Sequence, residues 1–272
     1  MTQFPEDAGY EKCAHLYDLF DAEENIQLFL HYGSEAGEIL DIGAGTGRIA
    51  ILLAEKGVKI FCVEPSPAMR RQFEKKLKRR PELAKNIHLT AGDASSFSFE
   101  RTFPAVMLSG CFDHFLDDDE RLSSLLNIVR HLNPRGKLVF DVGLGYMKDS
   151  PLSPAGSVTR GNKEYRRFVG SKLLPKDRME WLLVFEIYES GKLLERIEQL
   201  SSAGVIGRPK LHRLLKKAGF EVAREFGDYD FKTFEEGDKI LVIEAVKEGG
   251  RFPSPSPLGR TIWFIPLTGS SI

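Results

Sequence analysis

Short apolar runs alternate with amphipathic stretches from about residue 22 onward, a pattern that predicts a mostly parallel sheet with helices on both faces. Asp21 and Glu24 have capping-box spacing, and Ile26, Phe29 and Leu30 then form one apolar helical face. Glu38–Ile42 reads as a short buried strand running into a glycine-rich loop, with Ile49, Leu52 and Leu53 as the core face of the next helix. Residues 58–63 form a second apolar run. Ser66 and Pro67 mark a helix start, and Met69, Phe73 and Leu77 recur every four residues behind them. Ile87–Ala91 and residues 105–109 read as the third and fourth strands. Leu122, Leu125, Leu126, Val129 and Leu132 give a strongly periodic helix, stopped by the Asn133-Pro134-Arg135-Gly136 turn before a fifth strand at 137–142.

The alternation then breaks. Residues 145–165 are rich in Gly, Ser, Pro and charge, whereas 179–188 has strand composition and runs into a plausible hairpin turn at Glu189-Ser190-Gly191-Lys192. Residues 150–205 are therefore expected to form an antiparallel insertion. Pro209 opens a short helix through Leu211, Leu214 and Leu215, with Gly219 in a C-cap position, and two strands at Phe220–Phe226 and 239–246 follow. The expected organisation is one domain over residues 1–248 and a Pro/Ser-rich tail over 249–272, which is predicted to be dispensable for folding.

Composition narrows the function classes. A formal net charge of -1 provides no bulk cationic surface for phosphates, so a nucleic-acid partner is not expected. The run Arg70, Arg71, Lys75, Lys76, Lys78, Arg79 and Arg80 reads as a solvated helix face rather than an RNA patch. Cys13, Cys62 and Cys111 are odd in number and share no CxxC spacing, which argues against a disulfide framework or a structural zinc site. The N-terminus does not read as a signal peptide, and no apolar run approaches the length of a membrane span. A cytoplasmic protein is expected.

The central chemical signal is Asp41-Ile42-Gly43-Ala44-Gly45-Thr46-Gly47, at a strand end and opening a helix. Glycines let the backbone turn sharply and let a ligand approach without meeting a Cβ. The helix behind them offers free amides and a positive dipole end. A nicotinamide or flavin site would want GxGxxG, but the third position here is Arg48 and the pattern is GxGxG. Glu64 ends the second strand, where an acid can accept both ribose hydroxyls, and Gly92-Asp93-Ala94 ends the third, suited to adenine. All three sites fall at carboxyl ends of adjacent strands, the usual ligand edge of such sheets.

These segments resemble the class I, Rossmann-like S-adenosylmethionine-dependent methyltransferases: EILDIGAGTGR, VEPSPAM, AGDASSF, the stretch AVMLSGCFDHFLDDDERLSSLLNIVRHLNPRGKLVFDV and LKKAGFEV. The resemblance spans about residues 17–246 and is closest to small-molecule enzymes with an antiparallel insertion before the last helix. It implies a seven-stranded α/β sheet of order 3-2-1-4-5-7-6 with the last strand antiparallel. It implies S-adenosyl-L-methionine as cofactor and a small-molecule methyl acceptor as partner. The glycine loop would hold the methionyl end, Glu64 the ribose and Asp93-Ala94 the adenine, with Tyr17-Asp18 over the cofactor and Pro65, Met69 and Ser109 completing its site. No metal is required. The chain departs from the group where the inserted sheet ends in Ala203-Gly204-Val205-Ile206 instead of a Tyr-rich segment.

His114, beyond the fourth strand, is the candidate base, since an imidazole titrates near neutral pH, and a pocket-shaping role is its alternative. Tyr165, Arg166, Arg167, Trp181 and Tyr188 make the insertion either a substrate lid or a plain half-buried sheet. His88, His131 and His212 read as structural or surface residues. Asp117, Asp118 and Asp119 read as helix-capping acids rather than metal ligands. A non-catalytic cofactor-binding regulator and a dinucleotide-dependent oxidoreductase are the competing functions.

Overall fold

The computed structural model describes residues 10–20, 23–144 and 148–249. Five strands run parallel: β1 (Glu38–Ile42), β2 (Lys59–Glu64), β3 (Ile87–Ala91), β4 (Phe103–Leu108) and β5 (Leu132–Gly143). β11 (Ile240–Lys247) pairs antiparallel with both β5 and β10 (Phe220–Phe226). Read from one edge, the order is β3-β2-β1-β4-β5-β11-β10, as the resemblance implied. The chain reverses its winding between β1 and β4, and the crevice beyond those strand ends is where such sheets take ligands.

Alternation along the strands sorts side chains into two cores. Leu40 and Ile42 of β1 face one core, with Leu125 and Ile128 of α4 (Asp118–Arg130) and Leu211 and Leu215 of α5 (Arg208–Ala218). Ile39 faces the other, with Phe29 of α1 (Ile26–Ala36), Leu53 of α2 (Arg48–Glu55) and Phe73 of α3 (Pro67–Lys78). Caps behave as the sequence suggested: Ser66 accepts the Met69 amide at 3.3 Å, and Asp117 accepts the Glu120 amide at 3.0 Å. The Glu120 carboxylate also accepts the amide of Leu116, the residue before the N-cap, at 2.8 Å. Helix α1, however, begins at Ile26 with Asn25 as its N-cap, and Asn25 gives its Nδ2 to Ser109 Oγ. Asp21, expected to cap that helix, lies outside the described residues.

The insertion is a four-stranded antiparallel sheet: β6 (Ser150–Arg160), β7 (Lys163–Leu174), β8 (Arg178–Glu189) and β9 (Lys192–Gly204). β6 falls where composition had indicated a break. It carries Pro151 and Pro154, which an edge strand tolerates because one side of its ladder is unpaired, and its register slips twice. The Asn133–Gly136 turn is likewise absorbed into a strand. Phe103 pairs with Leu132 and Ala105 with Lys137, so residues 133–136 bulge out of β5, with Arg135 at φ 63°. The tail beyond Gly249 lies outside the described residues.

Candidate functional site

The loop between β1 and α2 closes largely on itself. The Gly43 and Ala44 amides donate to Val63 O, Gly47 donates to Ala44 O at 2.9 Å, and Gly45 donates to Glu64 Oε2 at 2.7 Å. The amides of Gly43, Ala44, Gly45 and Gly47 are thus committed, and α2 presents its N-terminal end beside the loop. The glycines have different physical reasons. A Cβ on Gly47 would sit 2.1 Å from the Phe73 ring, so its absence serves internal packing. Gly45, at φ 58°, would place its Cβ no nearer than 4.0 Å to any atom, leaving an open cradle at the sheet edge.

Around that cradle the strand ends gather acids. Asp41 and Glu64 are 3% and 5% exposed. Burial and the neighbouring Glu64 charge push Asp41 up to about 7, against the opposing pull of Arg48. Burial also raises Glu64, although the Ser66 and Gly45 amides, each 2.7 Å from a carboxylate oxygen, oppose it. Asp141, at the end of β5, accepts the Gly110 amide and the Tyr229 hydroxyl, both at 2.6 Å. Such a concentration of buried negative charge suits a ligand bearing positive charge and opposes a pyrophosphate.

A 3₁₀ turn at Ala14–Leu19 lies across the loop. Asp18 accepts from the buried Thr46 hydroxyl at 2.5 Å and pairs with Lys76 at 2.6 Å. Tyr17 packs with Met69, Ala68 and Ala14, so Tyr17 and Met69 form one wall beside the loop. The Pro65 carbonyl is held by Arg70, and Ser109 by Asn25. Asp93 lies at the end of β3, but its carboxylate is engaged by the Ser95 amide and hydroxyl and the Ser96 hydroxyl, at 2.6–2.8 Å. Burial raises its pKa, yet those bonds outweigh burial and hold it below the usual range. Gly92 and Ala94 flank it and are buried.

Beside the loop, a cavity of about 210 Å³ opens between three parts of the chain. The N-terminal segment supplies Tyr10, Cys13, Tyr17 and Phe20; the loop after β4 supplies Gly110, Asp113 and His114; and the insertion supplies Arg167, Trp181, Leu183, Phe185, Ser201 and Ala203. The insertion is therefore a wall of the cavity through one face of β8, while Arg166 and Tyr188 make a cation–π pair with each other elsewhere on the sheet. Arg167 donates to the carbonyls of Phe20 and Ala155 and stacks over the Phe20 ring, tying the N-terminal segment to the insertion.

His114 Nδ1 lies 3.3 Å from the Ser202 carbonyl, which can only accept. The neutral ring therefore carries its proton there, and Nε2 accepts the Tyr10 hydroxyl at 3.0 Å. Burial lowers the His114 pKa, against the Ser202 bond, and so favours the neutral ring. Asp113 receives the Gly143 amide at 3.0 Å, and burial raises it to about 7. Tyr10 and Asp113 were not singled out from sequence. Asp113 adjoins His114, but nothing in the local pattern marks Tyr10, whose role depends on a partner 104 residues away. Three other histidines have structural partners: His131 bridges the Asn127 carbonyl and the Phe99 amide, His88 stacks on Phe61, and His212 pairs with Glu225. Among the described residues no helix is long and apolar enough to cross a membrane.

Residues 39–136 match the family model described as a methyltransferase domain. Curated relatives named only as uncharacterized methyltransferases, from Bacillus thuringiensis and Bacillus cereus among others, are 31% identical over 142 residues. Those matches cover 48% of this chain and 64% of the relative, less than two thirds of its length. Among solved structures, an S-adenosylmethionine-dependent methyltransferase from Clostridium acetobutylicum aligns with TM-score 0.71 at 17% identity, covering 88% of this chain and 99% of the other. The CcbJ methyltransferase from Streptomyces caelestis aligns with TM-score 0.75 at 18% identity, covering 90% and 100%. A sugar N-methyltransferase from Streptoalloteichus aligns with TM-score 0.68 at 22% identity, covering 85% and 92%. The overall fold is shared with these structures.

Proposed function

We propose that this chain, whose residues 39–136 match a methyltransferase-domain model, uses S-adenosyl-L-methionine to methylate a small-molecule acceptor. The observation that carries this reading is the pairing of an open glycine cradle at Gly45 with buried acids at Asp41 and Glu64. The methionyl ammonium and the sulfonium are both cationic, and such a site stabilises them where it would repel a dinucleotide's phosphates.

The first turn of α2 takes the methionyl carboxylate, Asp41 the ammonium, Glu64 the ribose, and Asp93-Ala94 the adenine, with Tyr17 and Met69 as a side wall. The cofactor supplies an electrophilic methyl carbon. The protein holds the acceptor in line with it, keeps water out under the 3₁₀ turn and the inserted sheet, and manages one proton. His114 is the group placed to take that proton. Its tautomer leaves the Nε2 lone pair to the Tyr10 hydroxyl, in the cavity that Gly110 also lines.

Calorimetry with S-adenosylmethionine, S-adenosylhomocysteine and NAD tests the cofactor, and labelled-methyl transfer into a metabolite extract tests the activity. Tight binding of the first two without NAD binding, together with a labelled small molecule, is the expected result. NAD binding more tightly than S-adenosylhomocysteine excludes the cofactor assignment, and binding without any labelled product makes the chain a regulator.

A further inference from the structure

The cavity beside the cofactor loop has a chemistry of its own. Five aromatic side chains, Tyr10, Tyr17, Phe20, Trp181 and Phe185, contribute to its wall. Its ionisable groups besides the tyrosines and Cys13 are Asp113, His114 and Arg167. The one cation in that set is spent structurally, because Arg167 donates to the Phe20 and Ala155 carbonyls. An acceptor bearing a carboxylate or phosphate would meet the Asp113 carboxylate and no guanidinium or ammonium turned over to it. A cationic acceptor meets an acid and a ring-lined wall, the combination that stabilises an ammonium group.

We infer that the acceptor is an amine, bound as its ammonium against Asp113 and deprotonated through the Tyr10–His114 pair. This rests on the methyltransferase reading above and gives its acceptor a chemical class. Asp113 holds the Gly143 amide on Oδ2, which leaves Oδ1 to receive an ammonium N–H. Burial has already made that carboxyl costly to ionise alone, so a cationic partner offsets the cost.

The proton inventory closes. An ammonium has no lone pair and cannot attack. Its proton passes to the Tyr10 oxygen as the Tyr10 hydroxyl proton passes to His114 Nε2, and the resulting imidazolium keeps its other N–H on Ser202 O. The neutral amine lone pair then forms the bond to the methyl carbon, the carbon–sulfur bond breaks with its electron pair remaining on sulfur, and the sulfonium becomes a neutral thioether. The methylated nitrogen leaves as an ammonium, and the imidazolium proton returns to solvent. No further reactant is needed.

The test is labelled-methyl transfer to an equimolar mixture of 2-phenylethylamine, aminocyclohexane and an aminohexose, against the matching alcohols and carboxylates. S-adenosylhomocysteine binding is measured alongside. Label entering the amines at least about tenfold faster than the alcohols is expected. Asp113→Asn, which keeps an acceptor for Gly143, should raise KM for the amines while leaving S-adenosylhomocysteine binding within a few-fold. Tyr10→Phe should lower kcat with little change in KM. Preferential label in alcohols or carboxylates, no label in any class, or an amine preference unmoved by Asp113→Asn overturns the inference. If S-adenosylhomocysteine binds normally in those cases, only the acceptor class falls; if it does not bind, the methyltransferase reading falls with it.

Discussion

The Asp18 carboxylate accepts a hydrogen bond from the buried Thr46 hydroxyl, joining the N-terminal 3₁₀ turn to the glycine loop 28 residues further on. Lys76 contacts both, so three elements meet over the loop. Asp18 is 40% exposed, and its tether is therefore worth about 1 kcal/mol rather than the value of a buried ion pair. Asp18→Ala should weaken S-adenosylhomocysteine binding roughly fivefold while leaving the fold intact. Calorimetry and a thermal melt check this together; an unchanged dissociation constant would mean the turn is no part of the cover.

Glu64 has two jobs. A carboxylate that only held a ribose could be removed without changing the melting temperature of the ligand-free protein. Glu64 does more, since its two oxygens hold the Gly45 and Ser66 amides. Each charged hydrogen bond is worth about 1.5–3 kcal/mol, partly offset by relief of the buried charge. We expect Glu64→Ala to lower both the affinity, by at least about tenfold, and the melting temperature. Glu64→Gln should do less of each, because its amide oxygen still accepts one of the two amides.

The two loop glycines should separate folding from binding. Gly45→Ala meets open space and costs only the left-handed backbone, about 1–2 kcal/mol, so the chain should fold and lose cofactor binding. Gly47→Ala drives a methyl into the Phe73 ring and should reduce stability sharply, by several kcal/mol. Urea melts of both variants beside binding measurements decide it, and a Gly45→Ala protein that still binds tightly would remove the cradle from the cofactor site.

Asp41 and Asp113 both titrate near 7 when folded and well below that when unfolded. Between about pH 4 and 7 the native state therefore holds more protons than the unfolded one, and these two groups make the ligand-free protein less stable as pH rises through that window. A cationic ligand favours their ionised forms, so affinity for S-adenosylmethionine should increase over the same range. Melting curves from pH 5 to 8 with and without S-adenosylmethionine should diverge as pH rises, and Asp41→Asn should reduce the divergence. Parallel curves would contradict the charge pairing.

His114→Ala should cut methyl-transfer turnover by about 10²–10⁴-fold and change cofactor affinity by less than about threefold. The separation follows from where the ring lies: it lines the cavity beside the loop and is held by Tyr10 and the Ser202 carbonyl. Turnover that survives intact would assign His114 to shaping the wall.

Local sequence determined the sheet, the helices and the place of the cofactor loop, because each is written in neighbouring residues. Period-two alternation in EILDI sends Ile39 to one core and Leu40 to the other, and Gly43, Gly45 and Gly47 mark a turn that few other residues could make. The order of the strands was implied by the family resemblance, not by any local pattern. The tertiary structure alone decided which partners those residues hold. Glu64 became a cap for Gly45, Arg167 a strap on Phe20, and the Asn133–Gly136 turn a bulge within β5. The cavity beside the loop was wholly of this second kind. Tyr10, His114 and Ser202 are far apart in the chain and converge only when the N-terminal segment and the inserted sheet pack on the same strand edge. That convergence also sets the proton affinities there, since an acid such as Asp113 is shifted by burial, and burial is a property of the folded neighbourhood rather than of any sequence window.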